Sequence, residues 1–150
     1  MQRRKKKFDI LFNTLVVGFT GTRDGMTPNQ KVTLRRLLTA FKEDNPHLEF
    51  RHGDCVGADA EAHVIAMGVG ASIVIHPPLI DRYRAYCTKA KRVFKPKEYL
   101  SRNRDIVDAS PILVAAPKQE KEPSADRAGG TWYTIRYARK KGSKLYILKP

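Results

Sequence analysis

One stretch concentrates the residue types that bind or react: His52-Gly53-Asp54-Cys55-Val56-Gly57-Ala58-Asp59, with Ala60, Glu61, Ala62 and His63 behind it. Glycines at 53 and 57 let a backbone approach a ligand closely. The start of a helix adds unpaired N–H groups and a positive dipole end, which suit anionic or hydroxylated small molecules. Asp54 and Asp59 change that picture. A carboxylate repels phosphate and suits ribose hydroxyls better. The stretch therefore reads as a nucleotide-type pocket with a sugar-reading side, against the plainer alternative of an ordinary strand-to-helix turn. His63 follows Asp59 by four residues, so the two can share a helix face. Such a pair orients an imidazole for proton transfer or makes a structural hydrogen bond, and the structural role is the expectation.

Three other segments carry similar chemistry. Gly21-Thr22-Arg23 follows an apolar run, and its arginine can clamp phosphate through parallel hydrogen bonds. Gly129-Gly130-Thr131-Trp132-Tyr133-Thr134 combines glycines, hydroxyls at Thr131 and Thr134, and an indole able to stack on a base. Tyr99–Asp105 reads as a helix with Arg102 and Asp105 on one face, Asn103 beside them and Arg104 turned away. No Ser/His/Asp set, zinc-ligand spacing, Walker loop or Gly-x-Gly-x-x-Gly run is present. Metal ligands and a resident cofactor are accordingly not expected.

The elements that must position these residues alternate. Leu15–Phe19, Leu48–Arg51, Ser72–His76, Pro111–Ala116 and Lys144–Leu148 read as strands. Helices are expected after Thr27 (N-cap, with Pro28 at the first helical position and Gln30 closing a capping box), from Ala58 to Val69, over Tyr99–Ala109, and from Gly129 to about Lys141. Leu79–Tyr86 reads as a short helix, Lys89–Lys97 is too basic for core, and Pro117–Ala128 is a mobile loop of lid-like length. Alternating strands and helices predict an α/β, Rossmann-like three-layer fold: a mostly parallel central sheet with helices on both faces. In such sheets ligands bind beyond the carboxyl ends of the strands. All the glycine turns fall on that edge.

Composition bounds the partners. Twenty-nine Lys and Arg against 15 Asp and Glu give a formal charge of +14, favouring nucleotides or nucleic acid. Residues 1–7 form a basic flexible arm, and residues 8–150 a single domain. Cys55 and Cys87 read as reduced thiols, and no apolar run reaches membrane-spanning length, so a cytoplasmic protein without membrane partners is expected.

Together, Gly18–Arg23, His52–His63, Arg102–Ile106 and Gly129–Gly142 resemble the SLOG superfamily, which includes DprA, the Lonely-guy nucleotide ribohydrolases, and the YpsA and YspA families. The match is nearest to the YspA type, small SLOG proteins of bacteria and their phages. The resemblance implies a nucleotide, a nucleotide-derived signal, or nucleic acid as ligand, and a homo-oligomer. The ribohydrolase branch carries glutamates after its Gly-Gly-x-Gly-Thr motif, whereas this chain has Tyr133 and Thr134 there. Cleavage of a glycosidic bond needs such acids. Non-catalytic binding is therefore expected, possible signalling nucleotides included, through Gly21, Thr22, Arg23, Gly53, Asp54, Gly57, Ala58, Asp59, Arg102, Asn103, Gly129, Gly130, Thr131, Trp132 and Thr134. Were the chain an enzyme, Asp59, Asp54 and Arg102 would be its catalytic candidates in nucleotide N-glycosidic hydrolysis. The third alternative is single-stranded nucleic-acid binding of the DprA type.

Overall fold

The computed structural model describes residues 13–127 and 129–150; the basic arm at 1–7 lies outside them. Six strands build one sheet: β1 (Leu15–Gly21), β2 (Leu48–His52), β3 (Ser72–Ile75), β4 (Arg92–Val93), β5 (Ile112–Ala116) and β6 (Lys144–Ile147). They lie in the order β4-β3-β2-β1-β5-β6, and every pairing is parallel. The chain winds outward from β1 to β4, then returns to lay β5 against the other side of β1. That reversal opens a crevice beyond the carboxyl ends of β1 and β5.

Among the described residues four helices cover the sheet: α1 (Pro28–Asp44), α2 (Ala58–Val69), α3 (Tyr99–Asp108) and α4 (Gly130–Lys141). Period-two alternation along the strands separates their two faces. Val17, Phe19, Leu48, Phe50, Ile73 and Ile75 pack with Leu34, Leu38, Ala62 and Ala66 of the α1–α2 pair. Leu113 and Ala115 point the other way, onto Ile106, Val107, Trp132, Ile135 and Ala138 of α3 and α4. Gly18 lies beneath α3, where an added Cβ would stand 2.7 Å from the Ser110 hydroxyl.

Local chemistry sets the helix boundaries. Thr27 Oγ1 accepts from the Gln30 N–H at 3.1 Å, and Gln30 Oε1 accepts from the Thr27 N–H at 3.0 Å, completing the capping box. The Gln30 amide also donates to the carbonyls of Pro117 (2.8 Å) and Leu148 (3.1 Å), tying the chain after β5 to the end of β6. Glu98, which the sequence reading overlooked, caps α3 through the N–H groups of Leu100 and Ser101.

Three segments differ from expectation. Leu79–Tyr86 holds only one 3-10 turn, Asp81–Tyr83, because its backbone groups go elsewhere. Val56 N–H donates to the Tyr83 carbonyl at 2.9 Å and Ala85 N–H to the Asp54 carbonyl at 2.7 Å, so the segment runs beside the turn after β2. Within Lys89–Lys97 lies β4, an edge strand of two exposed residues, whose pairing with β3 leaves its charges in solvent. The Pro117–Ala128 connection is anchored rather than loose in its described part. Gln119 Oε1 accepts from the Trp132 indole at 3.2 Å, and Glu122 pairs with Arg136 and Arg139 of α4.

Gly57 makes a sharp prediction. Its φ of 89° is one L side chains rarely adopt, and an added Cβ would land on the Arg23 carbonyl. Gly57→Ala is expected to cost about 2–3 kcal/mol, read as a lower urea midpoint at unchanged m-value.

Candidate functional site

The strand order arranges the residues of the crevice along one line. Beyond β3 come Pro78, Leu79 and Ile80; beyond β2, Gly53, Cys55, Val56 and Asp59; beyond β1, Thr22 and Arg23; beyond β5, Lys118, Gln119 and the start of α4. All border a single cleft of about 1060 Å³. Leu79 and Ile80 are 65% and 51% exposed, an apolar rim at one end. At the other end Gly129 precedes α4 with no side-chain cap. Among the described residues no side chain accepts from the first-turn N–H groups of that helix, and they carry the positive end of its dipole.

The β1 turn is held by its neighbours. Thr22 N–H donates to the Ala116 carbonyl at 3.1 Å, and the Thr22 carbonyl accepts from Ala58 N–H at 3.0 Å. The Arg23 guanidinium lies 4.0 Å above the centre of the Tyr83 ring at the cleft mouth.

Between the two ends the floor is charged on both sides of Gly53. Arg102, 5% exposed, donates to the Gly53 carbonyl, to the His76 carbonyl at 3.0 Å, and to Asn103 Oδ1 at 2.7 Å. Its Nη2 has only a 3.5 Å contact with the Cys55 thiol. Asp59, 6% exposed, accepts the Cys55 N–H at 3.1 Å. An added Cβ on Gly53 would fall on the guanidinium and stand 2.9 Å from Asp59 Oδ2, so glycine is required for the two charged groups to come this close. Burial pushes the Asp59 carboxyl up to about 6; the Arg102 charge and the N–H groups of Cys55 and Gly53 pull the other way, and Asp54 adds to the rise.

A carboxyl so raised destabilises the fold once it ionises. The folded state holds its proton more tightly than the unfolded chain, so the contribution is favourable below about pH 4 and lost as pH climbs through about 6. Asp59→Asn is expected to raise stability at pH 8 by about 2–3 kcal/mol and to leave it unchanged near pH 3.5. Urea titrations at the two pH values read this difference.

Of the residues singled out in the sequence, Gly21, Thr22, Arg23, Gly53, Asp59, Arg102, Asn103, Gly129, Gly130, Thr131 and Trp132 border the cleft. Asp54, Gly57, Ala58 and Thr134 do not. Asp54 is fully buried with φ 53°. Its carboxylate pairs with Arg84 at 3.1 Å and accepts the Cys87 N–H at 2.9 Å, which fastens the 84–87 segment to the turn after β2. Gly57 and Ala58 serve the contact between this turn and the β1 turn. Thr134 turns its hydroxyl back to the Gly130 carbonyl at 2.8 Å. Asp105 faces away, pairing with Lys97 at 2.7 Å. Cleft residues that the sequence did not single out include Tyr83, Leu79, Ile80 and Lys118; nothing in their local pattern marks them as cleft residues.

The expected Asp59–His63 pair does not form among the described contacts. His63 Nδ1 meets His52 Nε2 at 2.9 Å, and His63 Nε2 meets the Thr88 carbonyl at 2.9 Å. His52 Nδ1 accepts the Asp54 N–H at 3.0 Å, which places its proton on Nε2 and gives every ring nitrogen a partner with both rings neutral. Cys87 lies with them inside 4.8 Å. A metal bound through His52 Nε2 would need that nitrogen free of its proton and Nδ1 protonated against the Asp54 N–H, so the hydrogen bonding opposes metal ligation.

No protein-family model matches the chain, and no curated protein does. Solved structures do. The molybdenum cofactor binding protein of Rippkaea orientalis superimposes with a TM-score of 0.69 at 14% identity, over 91% of this chain and 77% of that one. DprA of Streptococcus pneumoniae gives 0.66 at 18%, over 93% of this chain and 51% of that one, so this chain spans about half its length. The molybdenum cofactor carrier protein of Chlamydomonas reinhardtii gives 0.64 at 18%, over 89% and 76%. No helix among the described residues is long and apolar enough to cross a membrane. With one parallel six-stranded sheet, helices on both faces, and these likenesses, the chain has a SLOG-type, DprA-like fold.

Proposed function

We propose that the chain binds a nucleotide or nucleotide-derived small molecule in the cleft beyond the carboxyl ends of the strands. The observation that carries this is the order along the cleft: apolar rim, doubly charged floor, then an uncapped helix start flanked by Lys118, Thr22 and Arg23. Phosphate suits the helix start, where Thr131 adds a hydroxyl and the first-turn N–H groups donate, beside a Lys118 that pairs with Asp24 at 2.9 Å. A flat base suits the rim. A volume of about 1060 Å³ accommodates ligands of dinucleotide size. Fold neighbours described as molybdenum cofactor binding and carrier proteins are consistent with a small-molecule ligand. Within the superfamily, the YspA-type assignment rests on the motif resemblance.

Calorimetric titration with adenine mononucleotides, adenine dinucleotides, cyclic nucleotides and ADP-ribose derivatives tests the proposal. Saturable binding, lost with Thr131→Glu at the helix start, is expected. Silence across the panel contradicts it. Release of free base from any member, abolished by Asp59→Asn, would replace binding with hydrolysis.

A second reading, single-stranded nucleic-acid binding, is favoured by one feature. Tyr83, Tyr86 and Phe94 each lie against an arginine (Arg82, Arg84 and Arg92, at 4.8, 4.4 and 4.1 Å from the ring centres) on one basic stretch. Helicobacter pylori DprA, another fold neighbour, is described as binding single-stranded DNA. Gel shifts at two salt concentrations separate the readings, since phosphate-backbone binding weakens steeply with salt.

A further inference from the structure

We infer that the floor at Gly53, with Asp59 on one side and Arg102 on the other, is a subsite for a hydroxyl-bearing sugar and excludes phosphate. It rests on the nucleotide reading above and adds which part of the ligand meets which part of the cleft.

Three observations lead to it. The first is the charge pattern. Arg102 is a buried cation whose other partners are carbonyl oxygens and a thiol; no carboxylate lies within ion-pair distance of it among the described residues. Asp59 is a buried acid whose shown partners are backbone N–H groups. A group seated between them must therefore accept from one and donate to the other. A sugar hydroxyl does both. A phosphate oxygen accepts only, and it would face a carboxylate buried away from water, where repulsion is weakly screened.

The second observation is position. Because the sheet runs β3-β2-β1-β5, the floor after β2 lies between the apolar residues after β3 and the helix start after β5. In a nucleotide the sugar likewise lies between base and phosphate. The third is closeness. A Cβ on Gly53 would fall on the guanidinium and stand 2.9 Å from Asp59 Oδ2, so only glycine lets the donor and the acceptor approach one another where the cleft passes Gly53.

The test compares AMP and ADP with their 2′-deoxy and 3′-deoxy counterparts, and GMP with its 2′-deoxy form, by calorimetry on the full chain. At least one ribose form is expected to bind roughly 10- to 100-fold more tightly than its matching deoxy form, the value of a hydrogen bond to a charged group. Asp59→Asn keeps an acceptor for the Cys55 N–H and is expected to cut that ratio below about 3-fold, while thermal melting confirms that the variant folds. Should the variant fail to fold, the ribose-to-deoxy ratio of the unaltered chain still decides. Equal binding of ribose and deoxy forms overturns the subsite and leaves the nucleotide reading standing. A preference for guanine regardless of the sugar also overturns it, because the floor then reads a base edge. Absence of binding by every one of these probes overturns the subsite, and silence across the wider panel as well overturns the nucleotide reading with it.

Discussion

Acidification from pH 7 to pH 4 is expected to remove about 3–4 kcal/mol of folding stability. Two buried imidazoles drive the loss. Burial, with the neighbouring His63, Arg102 and His76, holds His52 down to about 3. Burial and the Arg51 guanidinium hold His76 down to about 4. For both, the unfolded chain takes up protons first as pH falls below about 6.5, so stability present above that value is lost as pH falls towards their folded-state values. Their combined effect by pH 4 is about 6 kcal/mol. Asp59 has the opposite sign: its folded state gains protons below pH 6, returning about 2–3 kcal/mol over the same window. The net loss is a large share of the 5–15 kcal/mol typical of a domain. Urea midpoints measured at half-unit steps from pH 7.5 to 4 should fall steadily. In Asp59→Asn the fall should be steeper, because the offsetting group is gone. A flat profile would mean that His52 and His76 are not held neutral by their surroundings.

The second large effect belongs to Arg102. Arg102→Met keeps most of the side-chain volume and removes the guanidinium. The carbonyls of Gly53 and His76 then lose a charged donor, and Asp59 loses the opposite charge nearest to it. Losing these two charged hydrogen bonds to buried carbonyls costs about 3–5 kcal/mol. The variant should show a much lower urea midpoint at pH 8 and weaker binding of any nucleotide. Combining it with Asp59→Asn should recover much of the stability, since the uncompensated acid is then gone, without recovering binding. A recovery no larger than the gain that Asp59→Asn gives on its own would show that Asp59 and Arg102 do not interact through the floor.

How much of this the sequence foretold depends on how local each cause is. The start of α1 was legible because Thr27, Pro28 and Gln30 act on one another within a single turn. The parallel sheet was legible from continuous apolar runs separated by helical patterns. The floor was legible only in part. Arg102 and Gly53 are 49 residues apart, and the guanidinium reaches the Gly53 carbonyl because α3 packs beside the turn after β2. Asp54 and Asp59 look alike on paper. A left-handed backbone at Asp54 sends its carboxylate to Arg84, away from the cleft, while Asp59 stays on the cleft side of α2. Leu79 and Ile80 fall in a segment that reads as a short helix and instead form an exposed rim, since backbone bonding to the turn after β2 competes with helix formation. β4 was hidden because an edge strand needs no apolar residues.

The most direct measurement is a ¹H–¹⁵N NMR titration of the protein with the nucleotide panel. At least one member should shift the amides of Thr22, Gly53, Gly130 and Thr131 together along one saturable curve. Shifts confined to the Arg82–Phe94 stretch, or none that saturate, would contradict a ligand site in this cleft.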